Sequence, residues 1–352
     1  MTTAAAWMVT RLGPPTNALE IQTVEVGDPG VNQVRIAVEA FCLDFNDIDT
    51  IRGRYGLLKF EPLFVIGMAA AGTVEAVGPG CEALLGRRVV GTTAGVQGGY
   101  ASVALLDGAM TQQIPAWLST ADAMAMYFPF QVSYLALRVR GRVGPGDVVL
   151  VHAAAGGVGS AAVQLAKAFG ATVIATAGTD EKVEFCRSLG VDYGVNYRSG
   201  DFVAFVDDVT NGRGVDVAFD TVGGAVTTDT FRAMAFNGRH LIIGFASGIE
   251  DEERPLPIQP SIYGNFDLMG ICFAYVDSPR PARPFGMNFV STAQGIDIWN
   301  RILHLTRAGT IRPVIGRQIE FADVPTGLED LERRATIGRT VVRTPHDDGG
   351  AP

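Results

Sequence analysis

A two-domain α/β fold, with a mainly-β front half ahead of a doubly wound parallel sheet, is the class that the 352 residues predict. Three observations carry it. The run Val148-Val149-Leu150-Val151-His152, then Ala153-Ala154-Ala155-Gly156-Gly157-Val158-Gly159 and an apolar-periodic stretch to Phe169, reads as a buried strand, a glycine turn and a helix start. From Val132 onward, strand and helix patterns alternate. Up to about Tyr127 the texture differs, with short alternating or β-branched runs broken by glycine.

In the front half, 33–40, 72–77, 88–91 and 100–105 read as strands. In the second part the strands are expected over 147–152, 172–177, 193–196, 215–220, 240–244 and 268–273. Helical patterns separate them. The helix over 157–169 aligns Val158, Ala162, Leu165, Ala166 and Phe169 in one stripe suited to a parallel sheet. The helix over 180–189 opens with Asp180 and Glu181 and stops at Gly190, as capping rules prefer. A proline-rich stretch, 246–295, follows as long loops of the kind that often form lids. Helix 296–308, strand 313–319, helix 324–336 and strand 340–343 complete the chain, and this last part is expected to rejoin the first domain. Residues 346–352, acidic and glycine-containing, are expected to be disordered.

Composition narrows the function. With 47% apolar residues the chain can bury two ordinary cores, and a net charge of −9 argues against a nucleic-acid or anionic-membrane surface. No apolar run reaches the length of a membrane span, and the N-terminal residues lack a signal-peptide pattern, so a cytoplasmic protein is expected. Cys42, Cys81, Cys186 and Cys272 are widely spaced with no CxxC pair, which fits reduced thiols better than disulfides or a zinc knuckle.

The glycine turn has the makings of a dinucleotide phosphate cradle. Gly156 and Gly159 let the chain turn tightly out of the strand, and the backbone of Ala155, Gly156, Gly157, Val158 and Gly159 is free to approach a pyrophosphate at a helix N-terminus, where anions are favoured. NAD-specific folds place a carboxylate at the end of the second strand. Here that end reads Thr176-Ala177-Gly178-Thr179, without one. Gly244-Phe245 and Cys272-Phe273 fall at strand ends, where ligands of open α/β sheets bind, so Gly244, Phe245 and Phe273 are expected to border a nicotinamide. His152 reads as a packed, hydrogen-bonded core residue.

The 144–159 run, the glycine-rich front half and Gly338-Arg339-Thr340-Val341-Val342 together resemble the medium-chain dehydrogenase/reductase superfamily over nearly the whole chain. Within it the likeness is strongest to zinc-free NADPH:quinone oxidoreductases of the zeta-crystallin type, through Asp47, Arg52-Gly53-Arg54-Tyr55, 153–159 and Val195-Asn196-Tyr197-Arg198. The resemblance implies a GroES-like catalytic domain built from 1–128 and 275–345, a Rossmann NADPH-binding domain over 129–274, a cleft between them, and a homodimer. It implies that Gly178, Lys182 and Tyr197 hold the 2′-phosphate of NADPH, that Ser133 lies near the nicotinamide, and that Arg334 lies near the cofactor phosphates. Arg334 reads equally as a charge on a surface helix.

Zinc-dependent members of the superfamily carry a cysteine where this chain has Asp44 and a Gly-His-Glu triplet where it has Gly67-Met68-Ala69. A thioether and a methyl cannot replace imidazole and carboxylate as zinc ligands, so no metal is expected, and reduction of an activated double bond replaces alcohol oxidation as the expected chemistry. Hydride transfer needs positioning and a polarised acceptor more than a nucleophile. Tyr55 is the first candidate for contact with the reactants. Asp44 departs from the family's asparagine, and a carboxylate there repels a quinone oxygen unless protonated or paired; Asp47 reads also as a group that satisfies backbone donors. The expected partner is a small electrophilic acceptor, a quinone or an α,β-unsaturated carbonyl. Two alternatives stand beside it: an enoyl-thioester reductase using Arg280 and Arg283 as a basic path, and a non-catalytic NADPH-binding protein.

Overall fold

Strand patterns of the two kinds noted above form separate six-stranded sheets in the computed structural model, which describes residues 2–54, 60–248, 255–276 and 283–344. The chain divides into two units: Met1–Tyr127 with Ala274–Trp299 and Ile315–Pro352, and Phe128–Phe273 with Asn300–Val314.

In the first unit a six-stranded sheet runs in the order Ile315–Glu320, Arg339–Arg343, Gln33–Cys42, Ala69–Val77, Arg88–Thr93, Val103–Gln113. Gln33–Cys42 also pairs with Val103–Gln113, which closes the last four strands on one another in the manner of a GroES-like β domain. Period-two alternation sends Val34, Ile36 and Val38 inward, each fully buried, against Phe41, Ile66, Tyr100 and Leu106. A smaller sheet pairs Thr2–Val9 with Leu19–Val26 and Phe64–Val65. The sequence gives little sign of Thr2–Val9, because its three consecutive alanines carry no strand preference; long-range antiparallel pairing decides it.

In the second unit a six-stranded parallel sheet has the order Tyr193–Asn196, Thr172–Ala177, Val148–Val151, Val215–Asp220, Met234–Ile242, Asp267–Gly270, the doubly wound Rossmann arrangement. The order reverses between Val148–Val151 and Val215–Asp220. Val149, Leu150, Val151, Val217, Ala218 and Phe219 are fully buried there, so the β-branched run read from the sequence is a central strand covered on both faces.

Several boundaries differ from expectation, among them that of the strand expected over 100–105, which is Val103–Gln113. The strand expected over 240–244 is Met234–Ile242, and its first half escapes a pattern reading because Asn237 takes φ +60° and the register with Val215–Asp220 is broken there. The strand expected over 268–273 is Asp267–Gly270, which leaves Cys272 and Phe273 in the following loop. Residues Asn300–Val314, expected within the first domain, belong to the second unit, where Gln164 clamps Arg312: its Nε2 donates to the Arg312 carbonyl (3.1 Å) and its Oε1 accepts the Arg312 N–H (2.9 Å). The expected disordered tail, 346–352, lies outside the described residues.

Candidate cofactor cradle and reductase site

The Val148–Val151 strand ends at His152, and the chain leaves it through Ala153, which adopts the left-handed region at φ +49°. Two backbone bonds fix the turn: Ala154 N–H to the Thr176 carbonyl (3.1 Å) and Gly156 N–H to the Ala153 carbonyl (2.9 Å). The helix Gly157–Ala168 then starts against this turn so closely that a Cβ on Gly159 would lie 2.3 Å from the Ala153 carbonyl oxygen. Only glycine fits. No side chain caps this helix and no acidic residue stands in its first turn, so its leading N–H groups are left for an anion. The residues fit a pyrophosphate for that reason. Ser133 is buried beside the first turn and donates its hydroxyl to the Val158 carbonyl (3.3 Å).

Beyond the next strand, Thr172–Ala177, Tyr197 N–H donates to the Ala177 carbonyl (3.1 Å), which brings the two strand ends alongside each other. A Cβ on Gly178 would lie 2.9 Å from Tyr197 Oη and 3.4 Å from Arg198 Nε. Lys182 stands in the first turn of the helix Asp180–Ser188, whose cap Thr179 accepts the Lys182 N–H at 3.2 Å. Gly178, Tyr197 and Lys182 are thus gathered at one strand end.

A polar network that sequence reasoning missed lies under the switch point. Asp220, fully buried at the end of Val215–Asp220, accepts Val222 N–H (2.8 Å) and Gly223 N–H (3.1 Å) on Oδ1, and Thr227 Oγ1 (2.5 Å) and His240 Nε2 (3.2 Å) on Oδ2. Desolvation is the largest single influence and opposes ionisation, but the hydrogen bonds from His240 and Thr227 and the two neighbouring histidines, taken together, outweigh it and hold the carboxyl below the usual carboxylate range. The following loops are stitched together: Ala246 N–H donates to Thr221 O (3.1 Å) and Ser247 N–H to Val222 O (2.8 Å). This brings Phe245 onto Gly223, where a Cβ would meet the ring at 2.7 Å. An aspartate ahead of a Val-Gly-Gly turn is the one signal that could have found this anchor. His152 has Thr176 Oγ1 at 3.1 Å and Thr230 Oγ1 at 2.9 Å on its two ring nitrogens, and burial pushes it down to about 4, so it is neutral. Phe273 is buried in the loop after Asp267–Gly270, and Gly244 is half-buried in the loop after Met234–Ile242.

The first unit holds the aspartate pair. Asp44 precedes the helix Phe45–Ile51 and takes Arg339 in a two-point ion pair, Oδ1 to Nη1 at 2.6 Å and Oδ2 to Nη2 at 2.9 Å. Its charge is therefore paired. Asp47 is fully buried; its Oδ2 accepts Asp44 N–H at 3.0 Å and touches the Tyr100 hydroxyl, while Oδ1 has no partner. Tyr100 Oη also lies 3.0 Å from the Cys42 carbonyl oxygen. One phenolic proton cannot serve two acceptors; a proton on Asp47 makes both contacts hydrogen bonds. Burial first, and the Asp44 charge second, push Asp47 up to about 8 in agreement.

Met68 stands with its carbonyl accepting both Thr93 N–H (2.9 Å) and Thr93 Oγ1 (3.2 Å). Tyr127 packs edge-on against Trp299, ring centroids 6.0 Å apart, as part of the core. Arg334 is exposed in this unit at φ +58°, just past the helix Val324–Glu332. Tyr55 and Arg280 lie outside the described residues. Among the described residues, no three His, Cys, Asp or Glu side chains gather as a metal site, and no helix is long and apolar enough to cross a membrane.

Comparison with known proteins agrees with this construction. Residues 157–290 match the family model described as zinc-binding dehydrogenase, and 30–116 match the alcohol dehydrogenase GroES-like domain. The chain is 32% identical over 343 residues to a 2-haloacrylate reductase of Burkholderia sp, covering 96% of this chain and 98% of that one. It is 34% identical over 231 residues, 64% of its length, to a phthioceranic/hydroxyphthioceranic acid synthase of Mycobacterium tuberculosis, of which it spans only 11%. The Escherichia coli quinone oxidoreductase solved in complex with NADPH superposes with a TM-score of 0.85 at 26% identity, over 97% of this chain and all (100%) of that one. The chain belongs to the medium-chain dehydrogenase/reductase superfamily, in its quinone oxidoreductase branch.

Proposed function

We propose that the protein is an NADPH-dependent reductase that delivers hydride, without a metal, to a quinone or to a carbon–carbon double bond conjugated to a carbonyl. The observation that carries this reading is the cradle: an uncapped, acid-free helix start behind a turn that admits only glycine, beside a strand end with Gly178, Lys182 and Tyr197 in place of a carboxylate. The backbone of 155–159 would hold the pyrophosphate, with Ser133 bracing the helix start through Val158. Lys182 and Tyr197 would take the 2′-phosphate. Gly244, Phe245 and Phe273, on loops beyond the strand ends, would border the nicotinamide, and Asp220 fixes the first two through the stitched loops. When bound, NADPH supplies the hydride.

Metal independence rests on side-chain commitments. Asp44 is neutralised by Arg339 and Asp47 by its own proton, and the segment after Gly67 presents Met68 and Ala69. The aspartate pair thus adds no net negative charge that would oppose an oxygen acquiring charge during reduction. Similarity over full length to a 2-haloacrylate reductase, and in structure to a quinone oxidoreductase, supports electrophilic, conjugated acceptors. Tyr55, Asp44 and Asp47 are proposed for the substrate side, Arg334 for the cofactor phosphates, and the working form is proposed to be a homodimer.

The test is NADPH oxidation followed at 340 nm against a 1,4-quinone, a conjugated enone, 2-chloroacrylate and a crotonyl-CoA thioester, with NADH in parallel. Turnover of one of the first three with NADPH supports the reading. Preference for the thioester would move the protein to the enoyl-reductase class, and saturable NADPH binding with no acceptor turned over would make it a binder. Lys182→Ala is expected to weaken NADPH roughly tenfold while sparing NADH, the loss of one charged phosphate contact; equal losses for both would remove Lys182 from the 2′-phosphate site.

A further inference from the structure

Asp44 shows solvent one kind of chemistry. The Arg339 fork holds its carboxylate, yet 26% of the side chain stays exposed, against 8% for Arg339 behind it. A carboxylate has about four acceptor positions, and the fork takes two of them. The donors around it are spent or shut in. The Asp44 N–H goes to Asp47 Oδ2 (3.0 Å), both terminal nitrogens of Arg339 are bonded to Asp44, and Arg339 Nε is buried without a partner. Two-point pairing also fixes the plane of the carboxylate, so its open lone pairs keep one direction. At a distance the ion pair is neutral. Within hydrogen-bond range the exposed group is an acceptor alone, where an asparagine amide would also offer a donor.

We propose that Asp44 is a specificity-determining residue that selects uncharged conjugated acceptors carrying an O–H or N–H donor beside the double bond, an amide or a hydroxyl, over acceptors that present a carboxylate there. This rests on the reductase reading above, with Asp44 on the substrate side, and narrows its acceptor class. A substrate donor makes a charge-assisted hydrogen bond to an oxygen that Arg339 already holds in place, which is stronger than a bond between neutral groups. A carboxylate set against the same oxygen has no proton to share and meets like charge at contact range. A polar group kept for a substrate O–H or N–H also discriminates against an analogue that lacks the donor and leaves that group unpaired.

The experiment follows NADPH oxidation by the full chain with 2-chloroacrylamide, methyl 2-chloroacrylate and 2-chloroacrylate, which share one double bond and differ in donor and charge, and with a plain 1,4-quinone. The readout is the ratio of kcat/KM values between acceptors, compared between wild type and Asp44→Asn so that intrinsic reactivity cancels. Asp44→Asn is expected to lower the amide-to-acid ratio by about tenfold or more, and the amide-to-ester ratio several-fold, as a charged acceptor becomes a neutral one. Because Asp44→Asn leaves the buried Arg339 charge unpaired, the double variant Asp44→Asn/Arg339→Gln is measured beside it and is expected to shift both ratios the same way. Unchanged ratios in a variant that folds, a shift against the acid with none against the ester, or a wild type that prefers the acid would overturn the proposal. Turnover of the quinone with none of the three acrylates would overturn it too and leave the reductase reading standing. Turnover of none of the four would overturn that reading and this inference with it.

Discussion

Asp47 keeps its proton because complete burial first, and the Asp44 charge second, outweigh the Tyr100 and Asp44 N–H hydrogen bonds and the Arg339 charge that favour its anion. Its ordinary value is 3.8 and the folded value about 8, so between those limits the folded state holds a proton that the unfolded chain releases. Stability then falls as pH rises through that window, by roughly 1.4 kcal/mol per pH unit for one proton, and levels off above it. Asparagine mimics the protonated carboxyl. Asp47→Asn is expected to flatten this slope, so that urea denaturation at pH 5, 7 and 9 shows the variant gaining on wild type by on the order of a few kcal/mol at the alkaline end. Identical slopes would mean that Asp47 is ionised. That Asp47 serves a backbone donor was legible, whereas the helix Phe45–Ile51 that begins between the two aspartates was not read from the sequence. The partners that settle their charges, Tyr100 and Arg339, are distant in sequence, and no local pattern announces them.

At the scale of elements, the strand, turn and helix of the cradle were legible because one short run meets three local demands in sequence: β-branched residues for a doubly covered strand, glycine where the helix presses on the turn, and a small-residue helix face. A contrast between two of its glycines follows. Gly159→Val forces a Cβ to 2.3 Å from the Ala153 oxygen, and is expected to cost about 1–3 kcal/mol in stability and most of the NADPH affinity. Gly156→Ala, at φ −77° with 3.3 Å to the same oxygen, is expected to fold and bind nearly as wild type. Thermal denaturation and cofactor titration of the two variants check this, and equal damage from both would mean that the tight seat at Gly159 is unimportant. The start of Met234–Ile242 was not legible, since a left-handed Asn237 breaks the alternation on which strand reading depends.

For the molecule as a whole, the two units respond to pH in opposite senses. Asp47 loosens the first as pH rises from about 4 to about 8. In the second, His152 is held neutral down to about 4 against an ordinary 6.5, and Asp220 is held ionised, so stability is lost as pH falls below 6.5. Trp7, Trp117 and Trp299 all belong to the first unit. Raising the pH from 5 to 8.5 is therefore expected to lower the urea midpoint seen by tryptophan fluorescence while raising that of the far-UV circular dichroism component tryptophan does not report. Midpoints that move together would show that one cooperative transition covers both units. The two-unit architecture was readable from the change in texture near Tyr127, whereas the assignment of Asn300–Val314 depends on a Gln164 clamp 148 positions away.

The sheet order of the first unit also bears on synthesis. Arg339–Arg343 pairs with Gln33–Cys42, so a strand made early waits for one made some 300 residues later, after all of the second unit has been translated. At about 5–20 residues per second, that wait lasts tens of seconds on the ribosome. Through it, the Ala40–Cys42 end of Gln33–Cys42 lacks its partner strand and Asp44 lacks Arg339. The nascent first unit is thus a natural client for chaperones that shield unpaired strand edges, and the step that releases it is the arrival of the strand carrying Arg339.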